Sequence, residues 1–158
     1  MRFALTVALP PPGQDGPGYR VMGHDSRLWQ VINNLLDNAR SFSAEDGTVR
    51  VAVRPARQDP DGRPGVEVVV DDDGPGIPAH AFERIFERFY TDRPDQGFGQ
   101  NSGLGLSISR QIIEAHGGRI WAANRVAPAA EDGESEPGEP RVFGARFTVW
   151  LPAVGARG

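Results

Sequence analysis

Apolar residues recur at intervals of three and four between Ser26 and Phe42, and this spacing predicts a long amphipathic helix. Asp25 or Ser26 is expected to cap its N-terminus. A second long helix is predicted from Leu104 to His116, with Gly117 as its C-cap. The apolar positions of the first helix are Leu28, Val31, Ile32, Leu35, Leu36, Ala39 and Phe42.

Short Val-rich or alternating stretches bounded by turn residues predict the strands. These are Arg2–Leu9, Tyr19–Met22, Gly47–Arg54, Gly65–Asp71, Gly118–Val126 and Val142–Leu151. Ala79–Arg88 is predicted to be a short helical stretch. Strands and helices mixed in this order favour an α+β fold, a two-layer α/β sandwich in which helices cover one face of a sheet.

The length of 158 residues suits one domain, residues 1–158, and the composition is that of a globular protein. Two segments stand apart from this domain. Ala127–Pro140, rich in Glu, Pro, Gly and Ala, is expected to be a disordered hairpin insertion, and Tyr90–Ser102 a mobile loop. No apolar stretch is long enough to cross a bilayer.

Three absences in the composition exclude whole classes of function. The chain has no Cys, which excludes disulfides and thiolate metal sites. All 17 basic residues are Arg, and without Lys neither a P-loop nor a eukaryotic-type kinase site can form. The net charge of −4 offers no basic field for nucleic acid, so nucleic acid is not an expected partner.

Two asparagines, Asn34 and Asn38, lie one turn apart at the border of the apolar stripe of the first helix. Because Asn is a poor helix former, the pair needs a reason. The two residues could simply be polar side chains at the edge of a half-buried face. Alternatively, the carboxamide oxygens could serve a hard cation such as Mg²⁺.

An acidic run, Asp71–Asp73, follows the fourth predicted strand and leads into Gly74-Pro75-Gly76. Strand alternation points Asp72 inward with Val70, whereas Asp71 and Asp73 continue the other face. The run could be a solvated turn. Alternatively, the inward carboxylate meets a donor at a place where two glycines let a ligand approach.

The second long helix opens with a glycine-containing segment, Asn101–Leu106. Free backbone N–H groups at a helix N-terminus attract anions, and glycines allow phosphates to come close. Glycine near a helix start can also serve packing alone. This signal and the two preceding ones are weak singly, but they occur in one chain in this order.

Together these motifs resemble the histidine-kinase-like ATPase superfamily, which has the Bergerat or GHKL fold. The resemblance covers nearly the whole chain and implies a mixed, mostly antiparallel sheet of about five strands. The matching segments are Gln30–Ala39 (Asn box), Asp72–Gly76 (first Gly box), Ile85–Tyr90 (Phe box), Ser102–Leu106 (second Gly box), Glu114–Gly118 and Gly144–Phe147.

The resemblance implies ATP and Mg²⁺ as ligands. Asp72 would accept a hydrogen bond from the adenine amino group, Asn38 would hold Mg²⁺, and Asn34 would act at the phosphate end. Gly103–Gly105 would present N–H groups to the phosphates, with 90–102 as the ATP lid. Further ATP-binding positions are Ser41, Phe42, Gly74, Gly76, Ile77, Tyr90, Arg93, Ser102 and Leu106.

The type of chemistry within the superfamily follows from Asn34. Hydrolytic relatives carry a water-activating Glu at this position, and Asn cannot act as a base. Phosphoryl transfer to an imidazole needs positioning instead, which favours a histidine kinase. Two positions depart from the sensor-kinase pattern, Ser41 in place of Lys and Asn101 in place of Gly. Arg93 could supply the missing charge.

The expected partner is a phosphoacceptor and dimerisation domain that this chain lacks, with a response regulator acting downstream. The chain is expected to be monomeric and to be the cytoplasmic part of a dimeric kinase anchored in the inner membrane. Asn38–Ser43 and Gly99–Ser102 resemble ChvG-type envelope sensors of alphaproteobacteria. The alternatives are a degenerate docking module of the same fold and an anti-sigma-factor-type serine kinase.

Overall fold

The computed structural model describes residues 2–7, 21–43, 46–58, 62–88, 105–127 and 141–153. Its five strands form one sheet with the spatial order β1-β2-β3-β5-β4. β1 pairs with β2 in parallel, and the other three pairings are antiparallel, which confirms the predicted mixed sheet. The strands are β1 (Arg2–Val7), β2 (Thr48–Gln58), β3 (Arg63–Asp71), β4 (Arg119–Ala127) and β5 (Arg141–Pro152).

Two α-helices, α1 (Asp25–Phe42) and α2 (Gly105–Ala115), supply the second layer. The predicted stripe of α1 points into the core through the fully buried Val31, Leu35 and Ala39. It meets Ile113 of α2 and the inward-facing residues of β3 and β5. Burial of these apolar side chains against the sheet is the main force that holds α1 in place.

The stretch predicted to be helical between β3 and α2 forms two 3₁₀ turns, Ala79–Ala81 and Arg84–Phe86. Phe86 from the Phe box is buried, and its ring meets that of Phe147 edge-on with the centroids 6.3 Å apart. The Phe box is therefore fastened to β5 on the helical side of the sheet.

The N-terminus of α1 differs from the prediction that Asp25 or Ser26 caps it. His24 is the N-cap residue and makes no side-chain capping bond, while Asp25 Oδ1 accepts only from the N–H of Ser26 at 2.7 Å. A residue distant in sequence takes part instead, because the His24 N–H donates to Nε2 of His116 at 3.1 Å. The prediction was therefore wrong, and the described contact that holds this end of α1 is a tertiary one.

Other element boundaries shift modestly. Of the strand predicted at Tyr19–Met22, residues 19–20 lie outside the described residues, and Val21 forms a bridge with Ala153. Gly117 has a φ of +77°, as a C-cap glycine should. β4 continues through Ala127, so 128–140 of the predicted insertion lie outside the described residues. Within the described ranges, no helix is long and apolar enough to span a membrane.

Candidate functional site

Asp72 lies immediately after β3 and is 1% exposed, as the strand alternation predicted. Its Oδ1 accepts the N–H groups of Gly74 at 2.9 Å and Ala145 at 3.0 Å. Its backbone N–H donates to the carbonyl of Ala145 at 3.0 Å. No group in the described part of the chain donates to Oδ2. The carboxylate is thus fixed through one oxygen, and the other oxygen remains an acceptor.

Burial raises the pKa of Asp72 above its usual value, because desolvation outweighs the bonds from the Ala145 and Gly74 N–H groups and the nearby charge of Arg125. A buried acceptor with an unused oxygen is costly to keep. Such a group is typical of a ligand site, where an incoming donor supplies the missing partner.

The first Gly box lets the chain turn closely around this carboxylate. A Cβ at Gly74 would lie 2.5 Å from the carbonyl oxygen of Phe42, the last residue of α1. Gly76 has a φ of +86°, which side chains rarely tolerate. The glycines therefore bring the turn against the end of α1.

Ile77, the last residue predicted in this part of the site, is held by a side chain that the sequence analysis missed. Asn124 on β4 accepts the Ile77 N–H at 2.7 Å and donates to the Ile77 carbonyl at 2.8 Å. This two-way amide pairing fixes the turn that follows Asp72. A signal was available, because Asn is depleted in strands and its presence in the middle of β4 was unexplained.

Asn34 connects the Asn box to the second Gly box. Its Nδ2 donates to the Gly105 carbonyl at 3.2 Å and to Ser109 Oγ at 3.3 Å. Ser109 Oγ in turn donates to the same Gly105 carbonyl at 2.8 Å. The first turn of α2 is therefore tied to the middle of α1, which the resemblance did not specify.

Asn38 lies one turn further along α1 and is half-buried. Unlike that of Asn34, its side-chain carboxamide has no hydrogen-bond partner among the described residues. Ser41 Oγ donates to the backbone carbonyl of Asn38 at 3.1 Å, so this neighbour leaves the carboxamide itself unengaged. An available carboxamide oxygen is a suitable ligand for a hard cation.

The spacing of Asn34, Asn38 and Phe42 places them on one face of α1. Eight residues of helix cover about 12 Å along the axis. One end of this face contacts Gly105 of the second Gly box, and the other approaches Gly74 of the first. The structure therefore brings the three motifs together along one elongated region, with Asp72 at one end.

The remaining predicted site residues divide into two groups. Leu106 packs against the core from the first turn of α2. Five predicted residues, together with the proposed lid at 90–102, lie outside the described residues. They are Tyr90, Arg93, Ser102, Gly103 and Leu104.

Sequence reasoning also missed Arg125, which is next to Asn124 on β4. Its Nη1 donates to the backbone carbonyl of Asp72 at 2.7 Å. Its side chain is only 13% exposed, and its guanidinium lies over the Phe143 ring, 4.4 Å from the centroid. No local pattern marks this residue, because β4 reaches the acidic run only through the pairing of distant strands.

The sheet has the topology of an α/β-sandwich nucleotide-binding ATPase domain. The site agrees with this class, because an acceptor carboxylate is buried between glycine-containing turns and a helix that carries carboxamides. The chain is a member of the family of histidine kinase-, DNA gyrase B-, and HSP90-like ATPases, whose pattern matches residues 23–155. The superfamily inferred from the four ordered boxes is thereby confirmed.

Similar proteins are sensor kinases. Sensor protein ChvG of Agrobacterium fabrum is 52% identical over 135 residues, which are 85% of this chain and 20% of that protein. The histidine-protein kinase/phosphatase MprB of Mycobacterium sp. (strain KMS) is 37% identical over 141 residues, 87% of this chain and 26% of that protein. The chain thus spans about a fifth to a quarter of the length of these relatives.

Solved structures agree with this assignment. A mycobacterial sensor histidine kinase, MprB, superimposes with a TM-score of 0.66 at 31% identity, covering 98% of this chain and 84% of that one. Full-length ShkA in complex with AMPPNP gives a TM-score of 0.65 at 28% identity, covering 98% of this chain and 26% of that one. Both likenesses extend over nearly all of the chain.

Proposed function

We propose that this chain is the ATP-binding catalytic domain of a two-component sensor histidine kinase. It would transfer the γ-phosphoryl group of ATP to a histidine on a separate phosphoacceptor and dimerisation domain. The observation that carries the proposal is the buried Asp72, whose Oδ1 is bonded to two backbone N–H groups while its Oδ2 has no donor among the described residues. An exocyclic amino group of adenine fits this acceptor, whereas the carbonyl oxygen of guanine does not.

The kinase assignment is supported by what surrounds the phosphate end. Asn34 stands where a hydrolase needs a base, and its Nδ2 is already bonded to Gly105 and Ser109. A carboxamide in that position can orient the helix but cannot activate water. Transfer to an imidazole depends on positioning and charge neutralisation, so the arrangement suits a kinase.

The donor set also fits Mg²⁺ arriving with the nucleotide. Mg²⁺ keeps several waters and is usually held by one or two protein oxygens plus substrate phosphates. Asn38 offers one such oxygen, and no cluster of three or more His, Asp or Glu side chains competes for a metal within the described ranges. When bound, the ion would neutralise phosphate charge, while Asn38 would fix its position.

The proposed partners follow from the same chemistry. The phosphoacceptor domain would supply the histidine, and a response regulator would receive the phosphoryl group from it. The chain covers 20–26% of the length of its sensor-kinase relatives, which supports the proposal that it acts as one domain of a larger kinase. We place the domain on the cytoplasmic side of an inner-membrane-anchored homodimer, where ATP is available.

Isothermal titration with AMPPNP and Mg²⁺ tests the binding step, and saturable heat at millimolar ligand or below is expected. Adding a phosphoacceptor domain in trans with ATP then tests transfer, and an acid-labile phosphohistidine is expected. Absence of binding would refute the proposal. Binding without transfer would favour a degenerate docking module, and an acid-stable serine ester would favour the anti-sigma-factor type.

A further inference from the structure

Arg125 contacts all three consecutive aspartates at the end of β3, Asp71, Asp72 and Asp73. Its Nη1 donates to the Asp72 carbonyl at 2.7 Å and to Asp73 Oδ1 at 3.0 Å. Its Nε lies 3.7 Å from Asp71 Oδ2. One guanidinium from β4 therefore spans the whole acidic run, from the side opposite to the helices.

With the bond from Arg125, most of the polar atoms of Asp72 take part in hydrogen bonds. The backbone N–H and Oδ1 are bonded to Ala145 and Gly74, and the backbone carbonyl is bonded to Arg125. Gly144 allows β5 to lie close to the Asp72 carbonyl, since a Cβ at this position would collide with that carbonyl. Within the described ranges nothing donates to Oδ2, which can therefore accept from a ligand, and Arg125 completes the restraint on the direction in which that oxygen points.

We propose that Arg125 is a positioning residue for adenine recognition, which holds Asp72 in place through its backbone carbonyl. The inference rests on the proposed function, because it assigns a role toward the same carboxylate. Arg125 itself does not touch the nucleotide. It acts through the Asp72 carbonyl and through its charge.

The electrostatic surroundings support this role. Asp73 repels the ionised Asp72 and acts to raise its pKa, whereas Arg125 acts to lower it. Two other arginines face the run, but Arg146 on β5 is engaged with Asp71 at 2.8 Å and Arg50 on β2 with Asp73 at 2.8 Å. Of these three arginines, Arg125 is the one that also bonds to Asp72.

The guanidinium of Arg125 is largely shielded from solvent, in part by a ring from the neighbouring strand β5. Its 13% exposure and the Phe143 ring 4.4 Å beneath it limit its freedom. A register shift between Arg125 and Val126 interrupts the pairing of β4 with β5 at this point. Bulges often re-aim a side chain next to a functional site, which is what this one would do for Arg125.

The test compares Arg125→Met, Arg125→Lys and Arg50→Met by titration with AMPPNP and Mg²⁺ at neutral pH and at a series of lower pH values, because a raised carboxyl pKa makes binding sensitive to acid. Arg50→Met is the matched control, because Arg50 bonds to Asp73 Oδ1 at 2.8 Å much as Arg125 does, but makes no bond to Asp72. Adenosine is titrated in parallel to isolate the adenine end. Thermal unfolding of each variant monitors the fold.

Arg125→Met is expected to weaken both AMPPNP and adenosine about tenfold, the effect of losing one hydrogen bond to a charged group. Its affinity should also fall at a higher pH than that of the wild type as the solution is acidified. Arg125→Lys should restore the pH dependence, since it retains the charge. Arg50→Met should leave both properties close to those of the wild type.

If Arg125→Met unfolds, the folded Arg125→Lys variant and the Arg50→Met control decide the question. Loss of the fork geometry predicts weaker adenosine binding by Arg125→Lys than by Arg50→Met. The inference would be overturned if a folded Arg125→Met variant kept wild-type affinity and pH dependence while Asp72→Asn still weakened binding. Failure of the wild type itself to bind would instead refute the proposed function.

Discussion

Asn34 donates a hydrogen bond through Nδ2 to the carbonyl oxygen of Gly105, 3.2 Å away, and so joins the middle of α1 to the first residue of α2. This contact links two motifs that are 71 positions apart in the sequence. The orientation of the α2 N-terminus, where phosphates are expected, therefore depends on a side chain of the Asn box.

Asn34→Ala should lower both stability and phosphate-end affinity. It removes the bonds to Gly105 and Ser109, and the loss of two part-buried neutral bonds predicts a free energy of unfolding lower by about 1–2 kcal/mol. The affinity for AMPPNP should fall more than that for adenosine. Urea unfolding and titration measure both effects. Asn33→Ala, the same change one position earlier, is the control, and equal effects in the two variants would contradict the assignment.

Asn38→Ala should affect Mg²⁺-dependent binding without affecting stability. The Asn38 carboxamide has no hydrogen-bond partner among the described residues, so its removal breaks no hydrogen bond among them. AMPPNP is titrated once with Mg²⁺ and once with EDTA. The ratio of the two affinities should be roughly tenfold smaller than in the wild type, as for the loss of one ligand. An unchanged Mg²⁺ advantage would place the cation elsewhere.

Gly144→Ala should disturb Asp72 directly. The added Cβ would collide with the Asp72 carbonyl, and such overpacking costs about 1–3 kcal/mol. Adenosine binding should weaken together with stability. Gly105→Ala serves as the stability control, because among the described residues the nearest atom to its Cβ would be in Asn34, at an ordinary 3.7 Å. Comparable unfolding free energies for the two variants would contradict this prediction, because they would show that β5 can shift away from Asp72 to accommodate the Cβ.

Asp73 should make the fold sensitive to acid. Its partial burial favours the neutral form, but the Thr48 N–H, Arg50 and Arg125 outweigh this and lower its pKa to about 2, from the usual 3.8. A lowered pKa gives stability that is present above pH 3.8 and is lost as the pH falls toward 2.

Urea unfolding of wild type and Asp73→Asn measures this contribution. The difference in unfolding free energy should be largest near neutral pH and should disappear as the pH approaches 2. Asp37→Asn is the matched control, since its partner Arg40 is 3.6 Å away on an exposed face of α1 and such pairs contribute little. A pH-independent difference for Asp73→Asn would contradict the ion-pair explanation.

Much of the fold was predictable because its signals are periodic and local. The stripe of α1 and the alternation of β3 placed Val31 and Asp72 inward, and both are buried as expected. The order of the motifs then indicated which ends of the elements had to meet. Asn34 and Asp72 were selected in this way, and their roles in binding stay predictions.

Contacts between distant strands could not be predicted by the same means. Arg125 lies 53 positions from Asp72, and only the β3-β5-β4 pairing brings them together. The contact at the N-terminus of α1 could not be predicted for a related reason, because His116 lies 92 positions from His24. Spacing rules describe one element at a time, and these residues act across elements.

The most direct test is the binding of ATP and GTP analogues to the wild type and to Asp72→Asn. Asn can keep the Oδ1 bonds to Gly74 and Ala145, while it replaces the acceptor Oδ2 with a donor. The fold should remain and be more stable at neutral pH, because a buried charge is removed. The affinity for AMPPNP should fall roughly 10- to 100-fold, and the preference for adenine over guanine should be lost. Unchanged affinity and preference in a folded Asp72→Asn variant would contradict the assignment of Asp72 as the adenine acceptor.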